Sequence, residues 1–128
     1  MKENESDWEL DPEFEKRDAL RKAGIPVEIA RTDQLLIRET IDSDISELYR
    51  IGTDQAVRKY IAPMQPTLEE EIVYTKAYVR HMYAFYDFGL WTGLEKDAYG
   101  QERVIGRAGL FPSERLAGQI EMGYMIAP

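Results

Sequence analysis

The hydrophobic period of this chain changes near residue 88. Before that point apolar residues recur at helical spacing, and after it they alternate. Residues 88–95, 103–111 and 119–126 each read as a strand. Asp97-Ala98-Tyr99-Gly100 joins the first two, and Pro112-Ser113 through Gly118 joins the last two. Connections this short require antiparallel neighbours. In the last strand Ile120, Met122, Tyr124 and Ile126 share one face, and Glu121, Gly123 and Met125 share the other. A meander of this kind needs helices to cover an apolar side.

The first two-thirds of the chain supplies them. Asp11-Pro12 is an N-cap followed by proline at the first helical position, and Gly24 and Pro26 are stop signals. The spacing predicts a short helix over about 12–23, with only Phe14, Ala19, Leu20 and Ala23 to bury. Gln34 through Glu39 reads as a short strand. Asp42 then caps a helix whose Ile45, Leu48, Tyr49 and Gly52 form a stripe. Residues 54–60 read as a further helical turn, and Pro63 and Pro66 mark a loop. Thr67-Leu68-Glu69-Glu70 is a capping box that opens a long helix over about 68–86. Its expected buried stripe is Leu68, Ile72, Val79, Met82 and Tyr86, flanked by Tyr74, Tyr78, His81 and Phe85. Tyr83 and Tyr86 cannot both turn inward with these, so some rings are expected at a surface. The fold class is α+β, with helices packed on a mainly antiparallel sheet.

Composition narrows the chemistry. A chain of 128 residues with 44% hydrophobic content predicts one domain with a real core. No apolar run approaches the ~20 residues that span a bilayer. The N-terminus has neither the basic nor the apolar region of a secretory leader. The absence of cysteine excludes disulfides, thiolate metal sites and a cysteine nucleophile, and His81 is the sole histidine, so no metal is expected. The expected compartment is the cytoplasm. The formal charge of -8 is concentrated at the start, where residues 1–15 carry seven acidic residues against Lys2. The remaining body is nearly balanced and has no basic cluster, which argues against nucleic acid as a ligand. Residues 1–30 are therefore set apart as an acidic extension with a short helix, and residues 31–128 as the main domain.

Spacing alone names no reaction. No glycine loop stands at a strand-to-helix turn. Glu121 is the foremost chemical candidate, a carboxylate in a strand whose alternate face is apolar. It can serve as a general base, directly or through water. Its structural alternative is an ion pair with an arginine such as Arg107 or Arg103. His81 is a second, weaker candidate, read as a helix histidine first. The aromatics from Tyr74 to Trp91 can line a pocket beside the first meander strand or simply fill the core.

Four stretches carry a family resemblance. Leu35-Leu36-Ile37-Arg38-Glu39 is similar to the opening strand of the GNAT-type N-acetyltransferase superfamily, and Pro66 through Tyr86 to its second helix. Val104-Ile105-Gly106-Arg107-Ala108-Gly109-Leu110 resembles its I-G-x-x-G-L strand. Gln119 through Pro128 resembles its x-E-x-G-Y-x-I-x-P strand, in the branch that includes the ribosomal-protein alanine acetyltransferases. Together they cover about residues 33–128. The resemblance implies acetyl transfer from acetyl-CoA to an amine acceptor. It implies that backbone groups of Tyr124, Met125 and Ile126 hold the pantetheine arm and that Glu121 is the base. By position, the loop over about 54–66 and the stretch from Phe88 to Trp91 border the acceptor pocket.

In the family the matching proline leads into a glycine-rich loop that holds the pyrophosphate. The sequence ends at Pro128, before such a loop. The expectation is a domain truncated there, and a transferase incomplete or inactive as this chain alone: a fragment, a half completed by another chain, or a half-domain that survives by oligomerising. The competing reading, from another class, is a non-catalytic α+β module that forms a homodimer through an open strand edge.

Overall fold

The computed structural model describes residues 11–128; the acidic run before them lies outside the described residues. The element order is α1 (Pro12–Lys22), β1 (Glu28–Arg31), β2 (Leu35–Arg38), a 3-10 turn (Asp42–Asp44), α2 (Ile45–Thr53), α3 (Gln55–Arg58), α4 (Leu68–Tyr86), β3 (Leu90–Lys96), β4 (Glu102–Pro112) and β5 (Ile120–Ile126). The five strands form one sheet in the order β1-β2-β3-β4-β5, and every neighbouring pair is antiparallel. The α+β expectation holds, and the meander runs in the expected order.

Strand β1 has no counterpart in the sequence reading. All four of its residues are exposed, so Glu28-Ile29-Ala30-Arg31 shows no alternation of burial. Turn chemistry makes it instead. The Thr32 hydroxyl accepts from the Leu35 N–H at 3.0 Å, and the chain folds back so that Ala30 faces Ile37.

The core lies between α2, α3 and the sheet. Leu48, Ile51 and Val57 pack on Met125 of β5, with Ile61 and Val104 beside them. Helix α4 covers the same sheet face, with Leu68, Ile72, Val79 and Met82 of the expected stripe partly buried. The exception is its last turn, where Tyr83 is the innermost ring, 1% exposed, and Tyr86 lies outward. The Tyr83 hydroxyl ties that turn to the sheet. It donates to the Leu90 carbonyl, and it accepts from the Thr40 N–H at 3.2 Å. Thr40 Oγ1 in turn lies 2.8 Å from Thr92 Oγ1, on a fully buried side chain. Burial pushes the Tyr83 phenol up to about 12.

The two glycines of the I-G-x-x-G-L phrase are demanded by close backbone approach. A Cβ on Gly106 would stand 1.9 Å from the Met125 carbonyl oxygen, and one on Gly109 would stand 2.0 Å from that of Gly89. No L side chain fits at either place.

Helix α1 buries none of its residues completely. Ion pairs dock it. Asp87, the left-handed C-cap of α4, accepts from Arg17 and, at 2.8 Å, from Arg21. Arg21 also holds Glu39 at 2.6 Å, where both side chains are largely buried. The Arg17 guanidinium draws the Asp87 carboxyl below its ordinary 3.8. That contribution to stability is complete above about pH 4 and is lost as pH falls through the depressed folded-state value.

Arg21→Met leaves the Glu39 carboxylate buried without a cation. It should cost about 3 kcal/mol or more at pH 7 by urea denaturation, and a loss under 1 kcal/mol would refute this role for the ion pair. Tyr83 should also lower stability between pH 10 and 12, because the unfolded phenol ionises there while the folded one stays neutral. Tyr83→Phe should be less stable at pH 7, by roughly 1–3 kcal/mol, and should lose less of its stability over that alkaline interval.

Candidate functional site

Strand β5 closes the sheet, and among the described residues its outer edge pairs with nothing. The direction of its main chain follows from two bonds. The Ala127 N–H donates to the Ile105 carbonyl at 2.7 Å, and the Gln119 carbonyl accepts from the Ser113 N–H at 2.9 Å. Alternation along the strand turns the polar groups of Glu121, Gly123 and Met125 toward β4, and those of Met122, Tyr124 and Ile126 outward. Tyr124 and Ile126 thus present N–H and C=O at the open edge. Met125 between them sends its side chain into the core.

Side chains obey the same alternation. Ile120, Met122, Tyr124 and Ile126 lie on the face away from α2 and α4, all exposed, with Met122 at 80% and Tyr124 at 73%. Glu121 lies on the helix side, opposite Phe111 in register. Its carboxylate accepts from Arg115 of the β4–β5 connection at 2.6 Å. The arginines named from the sequence stand elsewhere: Arg103 pairs with Glu95 at 3.4 Å, and Arg107 lies four positions back along β4 from Phe111. The connection is long enough to fold Arg115 back over β5, which strand alternation cannot reveal.

On the helix side, α2, α4 and β3–β4 enclose a cleft of about 530 Å³ including its open mouth. Leu48, Met64, Tyr74, Tyr78, Leu90 and Arg107 are among its walls. Two tyrosines of the aromatic run therefore line a pocket beside β3, and Met64 brings in the loop before α4. Gly52 makes room for it, since a Cβ there would stand 2.8 Å from Met64 Sδ. Phe88 and Trp91 do not line this cleft. Phe88 packs on Tyr86 with ring centroids 5.2 Å apart, and Trp91 alternates with Leu90 to the opposite sheet face. His81 is exposed.

Two charged residues of the cleft were missed in the sequence. Glu71 is 4% exposed and accepts from the Gln65 N–H and the Thr75 hydroxyl, each at 3.0 Å. The run Glu69-Glu70-Glu71 reads as a favourable first turn, yet Glu71 falls on the inward line with Leu68 and Thr75. Arg107 sits in register with Met125 and Thr92, both buried. That position is legible from strand alternation once β3 and β5 are paired with it. Burial pushes the Tyr78 phenol up, and Arg107 nearby pulls it back in part. Among the described residues no group of three His, Asp or Glu side chains could hold a metal ion.

An antiparallel sheet with α2 and α4 on one face, close-packed glycines in β4 and an unpaired last strand define an α+β domain. Residues 34–128 match the family model described as an acetyltransferase (GNAT) domain. That match takes in β2 through β5, and the chain belongs to the GNAT acetyltransferase family. No curated protein and no solved structure matches the chain.

Proposed function

We propose that this chain transfers an acetyl group from acetyl-CoA to an amine. The family match over residues 34–128 supports the reaction class. The open β5 edge is the observation that carries the proposal to particular residues. A pantetheine arm contains two amides, and amides pair with a bare strand edge much as another strand does. The outward N–H and C=O groups of Tyr124 and Ile126 fit that requirement. Met125 holds the strand by its packing on Leu48, Ile51 and Val57. Bound acetyl-CoA supplies the activated acetyl group.

Glu121 is the proposed base. It takes a proton from the acceptor's ammonium, directly or through water, and frees the nitrogen lone pair for attack. Its pair with Arg115 is solvent-screened, so it does not lock the carboxylate. The phrase Glu121-Met122-Gly123-Tyr124 supports a place near the ribosomal-protein alanine acetyltransferase branch, with residues 31–128 as the catalytic domain and residues 1–30 as an acidic extension. No helix among the described residues is long and apolar enough to cross a membrane, and the activity is proposed as cytoplasmic.

One observation favours a second reading. The apolar face of β5 is exposed beside its unpaired edge, and such a strand is a template for another chain. A homodimer built on β5 would occupy the edge assigned above to acetyl-CoA.

Isothermal titration of acetyl-CoA into the full chain, paired with a thiol-release assay over a panel of amines, separates the two readings. Saturable binding with amine-dependent release of CoA is expected. Glu121→Gln should retain binding and slow turnover by roughly 10²–10⁴-fold. A stable dimer that gives neither heat nor CoA release would replace the transferase reading with the second.

A further inference from the structure

Four arginines among the described residues are half-buried: Arg17, Arg21, Arg38 and Arg107. Three are neutralised. Arg17 pairs with Asp87, Arg21 pairs with Glu39 and Asp87, and Arg38 meets Asp44 at 2.7 Å. Among the described residues Arg107 alone has no carboxylate within 4.0 Å, and its one polar contact there is Met64 Sδ at 4.0 Å. A guanidinium is always charged and carries five donors in a planar fork. Leaving it half-buried and unpaired in a cleft walled by Leu48, Met64 and Leu90 is costly unless an anion arrives.

A second donor stands in the same cleft. The Tyr78 hydroxyl accepts from the Leu90 N–H at 2.9 Å, so its own proton is left for a ligand. Glu71 adds the opposite sign. Its carboxylate is held by neutral donors only, and no cation lies within 4.0 Å of it. The cleft therefore offers a positive fork on its β4 wall and a negative group on its α4 wall, and the two are not paired with each other. A phosphate dianion would gain from Arg107 but meet Glu71 unfavourably. A molecule with a carboxylate at one end and an ammonium at the other meets opposite charge at both.

We propose that Arg107, with the Tyr78 hydroxyl, receives the carboxylate of a ligand that also carries an ammonium directed to Glu71. On the transferase reading, on which this part rests, that ligand is the acceptor, an amino-acid-like amine or an acidic peptide end: Glu71 receives its ammonium on docking, and Glu121 takes the proton when the amine moves on to acetyl-CoA. Arg107 is then a specificity-determining residue, and simple alkylamines are poor acceptors.

The test uses the full chain without acetyl-CoA, followed by isothermal titration in every variant and, in the wild type, also through the Arg107 Nε–Hε resonance. The probes are linear amino acids from glycine to 6-aminohexanoate, n-butylamine, butyrate, and an amidated peptide beginning Ala-Asp. At least one amino acid or the peptide should shift the resonance saturably and bind roughly tenfold or more tighter than n-butylamine. Free amino acids and the peptide tell the two carboxylate sources apart. Arg107→Gln should lose roughly tenfold or more, and Arg107→Lys, which keeps the charge without the fork, should fall between. Glu71→Gln should weaken the amino acids and leave butyrate binding as tight or tighter. No saturable probe, or wild-type binding by Arg107→Gln, overturns the carboxylate site. Binding without CoA release once acetyl-CoA is added overturns the acceptor role alone, so the two failures are distinct.

Discussion

The buried hydroxyl of Tyr83 fixes how the layers of this domain meet. A phenol 1% exposed must satisfy its oxygen inside the protein. It does so with the Leu90 carbonyl at the start of β3 and the Thr40 N–H just after β2. Those two bonds hold α4 at one rotation above the sheet. At that rotation Tyr78 reaches the Leu90 N–H, Glu71 turns inward and Tyr74 rims the cleft. Losing either bond would leave a buried polar atom unsatisfied, at the full desolvation cost of the group.

Strand β4, next to the edge strand β5, does the complementary work from below. Gly106 and Gly109 let the Met125 and Gly89 carbonyls come closer than any side chain permits. Between them Arg107 faces the helices, in register with Met125 on one side and Thr92 on the other. The strand that pins the sheet thereby also carries the charge in the cleft. The open edge of β5 lies one strand away. On the proposed reading, the cleft takes the amine and the bare strand edge takes the extended amide chain, so that the two reactants are held side by side.

Much of this was legible before any coordinates. The change to a period of two located β3, β4 and β5, and the capping box located α4, because both signals are local. The faces of β5 were also correct, since alternation fixes them without knowledge of the partner strand. What stayed hidden depended on distant groups. Strand β1 has no buried residue to mark it, and α1 is held by Arg17 and Arg21 reaching Asp87 and Glu39 across the chain. The burial of Tyr83 in place of Tyr86 rests in part on a hydrogen bond from Thr40, over forty positions away. The pairing of Glu121 with Arg115 depends on the path of a loop. Within the cleft, Tyr74 and Tyr78 were visible as aromatics, but Glu71 was concealed in a run of like residues at a helix start.

The account stands on the open edge of β5 as the docking line for acetyl-CoA. Residue-resolved hydrogen exchange tests it most directly, with and without acetyl-CoA at fixed protein concentration. The account predicts that acetyl-CoA slows exchange at the outward amides of Tyr124 and Ile126 and leaves the Met125 amide, already directed at β4, unchanged. Exchange at Tyr124 and Ile126 that ignores acetyl-CoA and slows only as protein concentration rises would contradict it, and would give that edge to a second copy of the chain.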